Sequence, residues 1–202
     1  MEVNLHVELL SITPNALDLI ERAIRICHDS EISKTKEKQK DLIERIALKM
    51  GHESVIEHAS ATFHIKGISR ACSHQLVRHR IGVAFSQRSQ RYVKEYNFEF
   101  IVPKSIKDKK LDYFYKVWME DIGKNYEIIL NSGIPAEDAR FILPNSCSTE
   151  LIMTMNFREL RHFLKERLSK RAQWEIRNVA KEILRLLKEQ VDVIFDDLGD
   201  NI

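Results

Sequence analysis

A period-two alternation opens the chain. Val3, Leu5, Val7 and Leu9 are separated by Asn4, His6 and Glu8, which predicts a half-buried strand. Thr13 and Pro14 then read as a helix cap with proline in the first helical position. Leu17, Ile20, Ala23, Ile24 and Cys27 follow at helical spacing. A lysine-rich connection over 33–40 leads to a second helix carrying Leu42, Ile43, Ile46 and Met50, with Gly51 as its stop. Ala59, Ala61, Phe63 and Ile65 alternate with Ser60, Thr62, His64 and Lys66, a second strand ended by Gly67. Ile68, Ala71, Cys72, Gln75 and Leu76 predict a helix that leaves Arg78 near its C-terminus.

Short strands are expected at Val83, Ala84 and Phe85 and at Phe98, Phe100 and Val102. A long helix covers 111–130, and a short one runs from Pro135 to Arg140 before Pro144 breaks it. The stretch 149–155 reads as a strand apolar on both faces and central in a sheet. Helices over 157–168 and 172–198 close the pattern. Strands and helices alternate irregularly, without repeats or linker. The expectation is one α+β (mixed α/β) domain over 1–202, with a central mixed or antiparallel sheet flanked by helices.

Charge narrows the function. Thirty-two basic and 30 acidic residues leave a net charge of only +2, so any anion site must be local and a bulk nucleic-acid binder is disfavoured. Three scattered cysteines make no disulfide framework and fit a reducing cytoplasm. The first residues show no signal peptide, and no run of eighteen apolar residues would span a membrane.

Against that balance stands the stretch 78–92. It holds Arg78, Arg80, Arg88 and Arg91, and no Asp or Glu occurs between Glu57 and Glu95. Arginine forks with serine hydroxyls suit an anion, above all phosphate; the ordinary alternative is a loop tied by ion pairs to acidic helices elsewhere. Gln75 lies three residues before Arg78, where both reach one ligand. His52, His58, His64, His74 and His79 match no common zinc spacing, so no metal is expected. His79, between two arginines, should be neutral and free to hydrogen-bond. Ser89 lacks a base partner and reads as a phosphate-binding hydroxyl, and neither a glycine-rich dinucleotide fingerprint nor a Walker loop occurs. A second cluster comprises Asn156, Arg158, Arg161, His162, Lys165 and Arg167. Asn156 is placed to cap a helix along which Arg158, His162 and, less directly, Arg167 share a side.

Several of these pieces together resemble the flavin-dependent thymidylate synthases. They are Gly51-His52-Glu53-Ser54 with Glu57-His58, Gln75 to Arg80, Ser89-Gln90-Arg91-Tyr92, Ala139-Arg140 before Leu143-Pro144, Asn156 with Arg158, His162 through Arg167, and Ala172 to Ile176. They span roughly residues 40 to 195 in the family's order. One departure is that eight residues, Ile81 to Arg88, separate Arg80 from Ser89 where many members have seven, as for a bulge in the loop.

The resemblance implies reductive methylation of dUMP to dTMP. The carbon donor would be 5,10-methylenetetrahydrofolate, with FAD carrying hydride and NADPH as reductant, in a homotetramer whose sites are shared between subunits. It implies dUMP contacts from Gln75, Leu76, Val77, Arg78, Gln87, Arg88, Ser89, Gln90, Arg91, Arg140 and Arg167. It implies FAD contacts from His52, Ser54, Arg78, His79, Arg80, Gln87, Asn156, Phe157, Arg158 and His162. Arg167 would be the catalytic residue, favouring the ionised uracil. Two rival readings are a nucleic-acid-binding module built on the arginine loop and an interaction protein that keeps the scaffold without turnover. The first predicts salt-steep binding and a colourless protein, the second FAD binding without reaction.

Overall fold

Four strands hydrogen-bond in the order β1-β2-β4-β3, where β1 is His6–Ile12, β2 Ser60–Ser69, β3 Val83–Gln87 and β4 Ser148–Asn156. The structure is a computed structural model and describes residues 1–199. Register shows every pairing to be antiparallel. Between β2 and β4, the Arg70 amide donates to the Cys147 carbonyl while Thr62 meets Thr154 hydroxyl to hydroxyl at 2.9 Å. Between β4 and β3, Arg88 pairs with Glu150 and Gly82 with Asn156. As one number falls the other rises.

The central place of β4 agrees with the sequence, but its two faces differ. Thr149, Leu151, Met153 and Met155 are buried, whereas Ile152 on the other face is 42% exposed. The helices are α1 Ala16–His28, α2 Lys36–Ile43, α3 Arg70–Leu76, α4 Lys104–Asp108, α5 Asp112–Asn131, α6 Ala136–Ala139, α7 Phe157–Arg167 and α8 Trp174–Phe195. A π-helical turn, Glu44–Lys49, extends α2, and 3₁₀ turns cover Glu53–His58 and Arg140–Ile142.

The chain falls into two compact units with interleaved segments. The first comprises Met1–His6, Ile65–Leu76 and Ser86–Leu151; the second comprises Val7–His64, Val77–Phe85 and the chain from Ile152 onward. The second unit's core is helical. α1 packs on α2 and α7 on α8, with Ile20, Ile24, Ile43, Phe157, Leu160, Phe163, Ile183 and Phe195 at 2% exposure or less. Burying such side chains at about 1.5–3 kcal/mol each is what holds this unit. The first unit is centred on Phe98, Phe100, Val102, Met119 and Cys147, with Tyr115, Ile122 and Leu143 against them.

Several expectations shift on folding. β1 begins at His6 rather than Val3. Thr13 does not cap α1: its amide and hydroxyl exchange bonds with Ser60 across the β1–β2 pair, and left-handed Asn15 (φ 50°) precedes the helix instead. Cys27 is exposed rather than on the core face. Gly67 does not end β2, which continues to Ser69. Its φ of 68° and the Asn4 carbonyl against its Cα leave no space for a side chain. Phe98, Phe100 and Val102 are buried but form no strand. Phe100 makes isolated bridges, to Glu2 and Cys147, and left-handed Asn97 stands just before the segment. Helix α8 is kinked at Val191 (φ −146°, ψ 59°) and ends at Phe195.

Candidate active site

In the second unit, a cleft of about 860 Å³ opens between the 3₁₀ turn after Gly51, the loop after α3, and the β4–α7 junction. Local bonding builds that junction. Asn156 ends β4 and caps α7, its side-chain oxygen accepting the Glu159 amide at 2.8 Å, as its position in the sequence predicts. Its own amide donates to the Gly82 carbonyl, and the Phe157 amide to Ala59, so helix and arginine loop are fixed to each other.

Helical spacing then sends Arg158, Glu159, His162 and Glu166 toward the cleft, with Arg167 at the end of the helix. Arg161 goes elsewhere. It is 2% exposed, clasps Asp197 at 2.6 Å through both terminal nitrogens, and bonds the Ile194 carbonyl. Of the second basic cluster, Arg161 is therefore structural. Lys165 faces Glu53 at 3.6 Å.

His79 occupies the inner wall. Its Nδ1 lies 2.8 Å from Glu159 Oε1, and Arg167 donates Nε–H to its Nε2 at 3.2 Å. Phe163 and His162 meet the ring edge-on at 5.2 and 5.6 Å. An Nε2 that accepts must be bare, so Nδ1 carries the proton and donates it to Glu159. Burial is the main influence lowering the ring's pKa. Glu159 works against it, and the Arg167 charge adds to the lowering. His79 is thus neutral, as the sequence implies, but through burial and Arg167 rather than through its chain neighbours. His79, Glu159 and His162 stand close enough to hold a metal ion, yet both ring nitrogens of His79 already have partners.

Arg78 and Arg80 are exposed on the cleft rim, and among the described residues neither has an acid or carbonyl partner. Arg158 is bound to Glu57 at 2.5 Å and faces Glu53 at 3.6 Å. His52 and Ser54 are exposed and lie outside the cleft lining; Phe157 is fully buried beneath it.

The first unit holds the rest of the signature. The Gln87 amide donates to the Ser73 and Thr149 hydroxyls. Ser89 Oγ accepts the Arg91 amide and its carbonyl takes the amides of Tyr92 and Val93, a tight turn. Gln90 is buried with its amide against Cys147 Sγ, whose pKa burial pushes up to about 12. Arg88 pairs with buried Glu95 at 3.3 Å and with Glu150 at 3.6 Å; Arg91 bonds Glu137 at 2.6 Å and lies over the Tyr92 ring. Arg140 donates to the Glu137 carbonyl. Gln75 is half-buried on α3, Leu76 fully buried behind it, and Val77 exposed in the second unit.

The acid-free arginine stretch is therefore acid-free only in sequence. Folding supplies carboxylates to Arg88 and Arg91 and leaves Arg78 and Arg80 open. Glu53, Glu57, Glu159 and Glu166 in the cleft wall were missed. Glu159 carried a misleading signal: Asn156-x-x-Glu159 reads as a capping box, which would turn the carboxylate back to the Asn156 amide. That amide is taken by Gly82, and the carboxylate goes to His79.

The chain is similar to known proteins along most of its length. The family model described as thymidylate synthase complementing protein matches residues 8–192. The flavin-dependent thymidylate synthase of Geobacter sulfurreducens is 45% identical over 202 residues, covering 96% of this chain and 86% of that protein. That of Pyrococcus furiosus is 49% identical over 148 residues, 71% of this chain and 60% of its own length. Among solved structures, thymidylate synthase X from Helicobacter pylori, with FAD and dUMP, superposes with a TM-score of 0.78 at 26% identity, covering 96% and 98% of the two chains. The UMP/dUMP methylase PolB of Streptomyces cacaoi, bound with 5-Br dUMP, gives 0.86 at 25%, covering 96% and 93%. The chain belongs to the family of the flavin-dependent thymidylate synthases.

Proposed function

We propose that this enzyme converts dUMP to dTMP by reductive methylation, taking the carbon from 5,10-methylenetetrahydrofolate and reducing equivalents from NADPH through FAD. The observation that carries the reading is the open pair Arg78 and Arg80 on the rim of a cleft whose inner wall is neutral His79. Two guanidinium groups without carboxylates suit a diphosphate, and a polar, uncharged wall suits a ring rich in acceptors and donors. Arg78, His79, Arg80, Asn156, Arg158 and His162 would hold FAD there. The bound flavin would supply the hydride that completes the new methyl group.

The chain's own residues bind and polarise. The Ser89–Arg91 turn, with Arg88, Gln90, Gln75, Gln87 and Arg140, takes the nucleotide and its phosphate. Ligand phosphate must compete there with Glu137 for Arg91 and with Glu95 for Arg88. Arg167 would stabilise negative charge on the uracil as its C5 forms the bond to the donor's carbon, an electrostatic task requiring no enzyme nucleophile. None of the cysteines is placed to attack: Cys147 is held protonated by burial, Cys72 is buried, and Cys27, exposed on α1, is not among the residues that line the cleft.

Complete sites would be shared among the subunits of a homotetramer. Phe114 and Trp118, one turn apart on α5 and about half exposed, and Phe141, 83% exposed, give the first unit apolar surface suited to such contacts. A nucleic-acid surface is less well supported, because carboxylates hold two of the four loop arginines.

The test is release of tritium from dUMP labelled at C5 by the purified, flavin-coloured protein. Release that requires both methylenetetrahydrofolate and NADPH supports the reading. A colourless protein that leaves the label in place with every component present would refute it.

A further inference from the structure

Helix α7 carries a carboxylate that no sequence feature assigned to chemistry. Glu159 is 9% exposed, and its Oε1 stands 2.8 Å from His79 Nδ1, on the far side of the ring from Arg167. The three side chains form one chain of hydrogen bonds: Arg167 Nε–H to His79 Nε2, then His79 Nδ1–H to the Glu159 carboxylate. Directions along it are forced. Arginine can only donate, so Nε2 must be bare; a neutral imidazole with a bare Nε2 holds its proton on Nδ1; and only an acceptor can face that proton. An ionised carboxylate is such an acceptor, and it cannot face a bare Nδ1 without repulsion. Glu159 therefore selects, from two tautomers, the one to which Arg167 can bond.

The bond to the ring is made by Nε, which lies in the guanidinium plane, so it fixes how that plane is turned. Phe163 and His162, edge-on to the imidazole, hold the ring in its own plane. Asn156 fixes Glu159 in turn by capping its amide.

We propose that Glu159 is a positioning residue: by accepting the Nδ1 proton of His79 it fixes the tautomer whose bare Nε2 receives Arg167, and so sets the plane of the guanidinium that acts on the pyrimidine. The last clause rests on the function proposed above; the tautomer lock does not. Burial of the ring, which keeps it neutral, supports the arrangement.

The experiment is nitrogen NMR on protein labelled at histidine, without ligands at neutral pH, with the His79 signals identified by their loss in His79→Asn. The wild type should show His79 with a proton on Nδ1 and a bare Nε2. In Glu159→Leu the ring should move toward the Nε2–H form. Turnover of the flavin-loaded enzyme should then fall by about tenfold to a hundredfold, in kcat rather than in KM, as expected for a misaimed group. Glu159→Gln keeps an acceptor oxygen and should restore most of both readouts. A wild-type His79 found as the Nε2–H tautomer or as imidazolium would overturn the lock, even if Glu159→Leu proved unable to fold. A Glu159→Leu enzyme with unchanged kcat would overturn the positioning role, as would a Glu159→Gln enzyme as damaged as Glu159→Leu. A wild-type protein with the expected tautomer but no action on dUMP would instead uphold the lock and overturn the proposed function.

Discussion

Gly82 and Asn156 touch so closely that a Cβ at position 82 would fall within the asparagine side-chain amide. The same pair is joined by the Asn156 amide bonding the Gly82 carbonyl at 2.9 Å, and Gly82 has a φ of 64°. Gly82→Ala therefore meets two penalties, a left-handed backbone and a displaced cap. A loss of about 1–3 kcal/mol in denaturant unfolding is expected from the backbone alone. Flavin retention should fall as well, because Asn156 lines the cleft. An alanine variant as stable and as yellow as the wild type would show that the loop does not hold the asparagine.

Arg161 and Asp197 give a stability prediction remote from the chemistry. Removing the carboxylate in Asp197→Ala takes two hydrogen bonds from a guanidinium that is 3% exposed and whose Nε, 4.0 Å from Glu53, makes no hydrogen bond among the described residues. The expected cost is about 1.5–3 kcal/mol for charged hydrogen bonds, below that of a fully buried pair because Asp197 is half exposed. Arg161 holds the Asp197 carboxyl below its usual range. This contribution is present above the unfolded carboxyl pKa and lost as pH falls through the lowered folded value. Unfolding of wild type and variant should thus converge in strong acid. A constant gap down to the lowest accessible pH would rule out the pairing.

The lowered pKa of His79 has a stability consequence of its own. Its folded value lies below the unfolded value, so it contributes stability above about pH 6.5. That contribution is lost as acidification passes from there down through the folded pKa. Groups facing the ring are Glu159, His162 and Arg167, with Arg78 and Arg80 beside it in the chain and Glu53, Glu57 and Glu166 in the same cleft wall. The difference in unfolding free energy between wild type and His79→Asn should therefore shrink as pH is lowered from 7.5 into this window. A difference that grows on acidification would mean the ring is held charged.

Two arginines should separate binding from turnover. Arg167→Ala should keep fold and flavin and lose about a hundredfold to a thousandfold in turnover, the scale of a removed charge-stabilising donor. Arg91→Ala should instead weaken dUMP affinity by about tenfold to a hundredfold in calorimetry, as for one charge-assisted contact to phosphate. Equal affinity in the Arg91 variant would place the phosphate elsewhere.

What the sequence made legible follows from where the signals are local. Helices α5, α7 and α8 and strand β4 are announced by periodicity, and the Asn156 cap by its place between strand and helix. The arginine stretch was visible because its acids are absent from 58–94. The carboxylates that fold onto Arg88 and Arg91 come from positions 95, 137 and 150, and no local pattern reports such pairings. Phe98 and Phe100 alternate like a strand yet serve as core anchors, because an extended segment buries alternate side chains whether or not its backbone joins a sheet. Thr13 was misread since a threonine before proline fits a helix cap, while its bonds to Ser60 depend on strand pairing 47 residues away. Glu159 was hidden by a cap motif that its own fold satisfies differently.

Arg78 and Arg80, left without carboxylates, are the groups we propose hold the phosphates of FAD beside neutral His79. A fluorescence titration of flavin-stripped protein with FAD, comparing wild type with the Arg78→Ala/Arg80→Ala double variant at two salt concentrations, tests this. Saturable quenching by the wild type, weakened by salt and largely lost in the double variant, is the predicted result. Equal FAD affinity in the two proteins would contradict it.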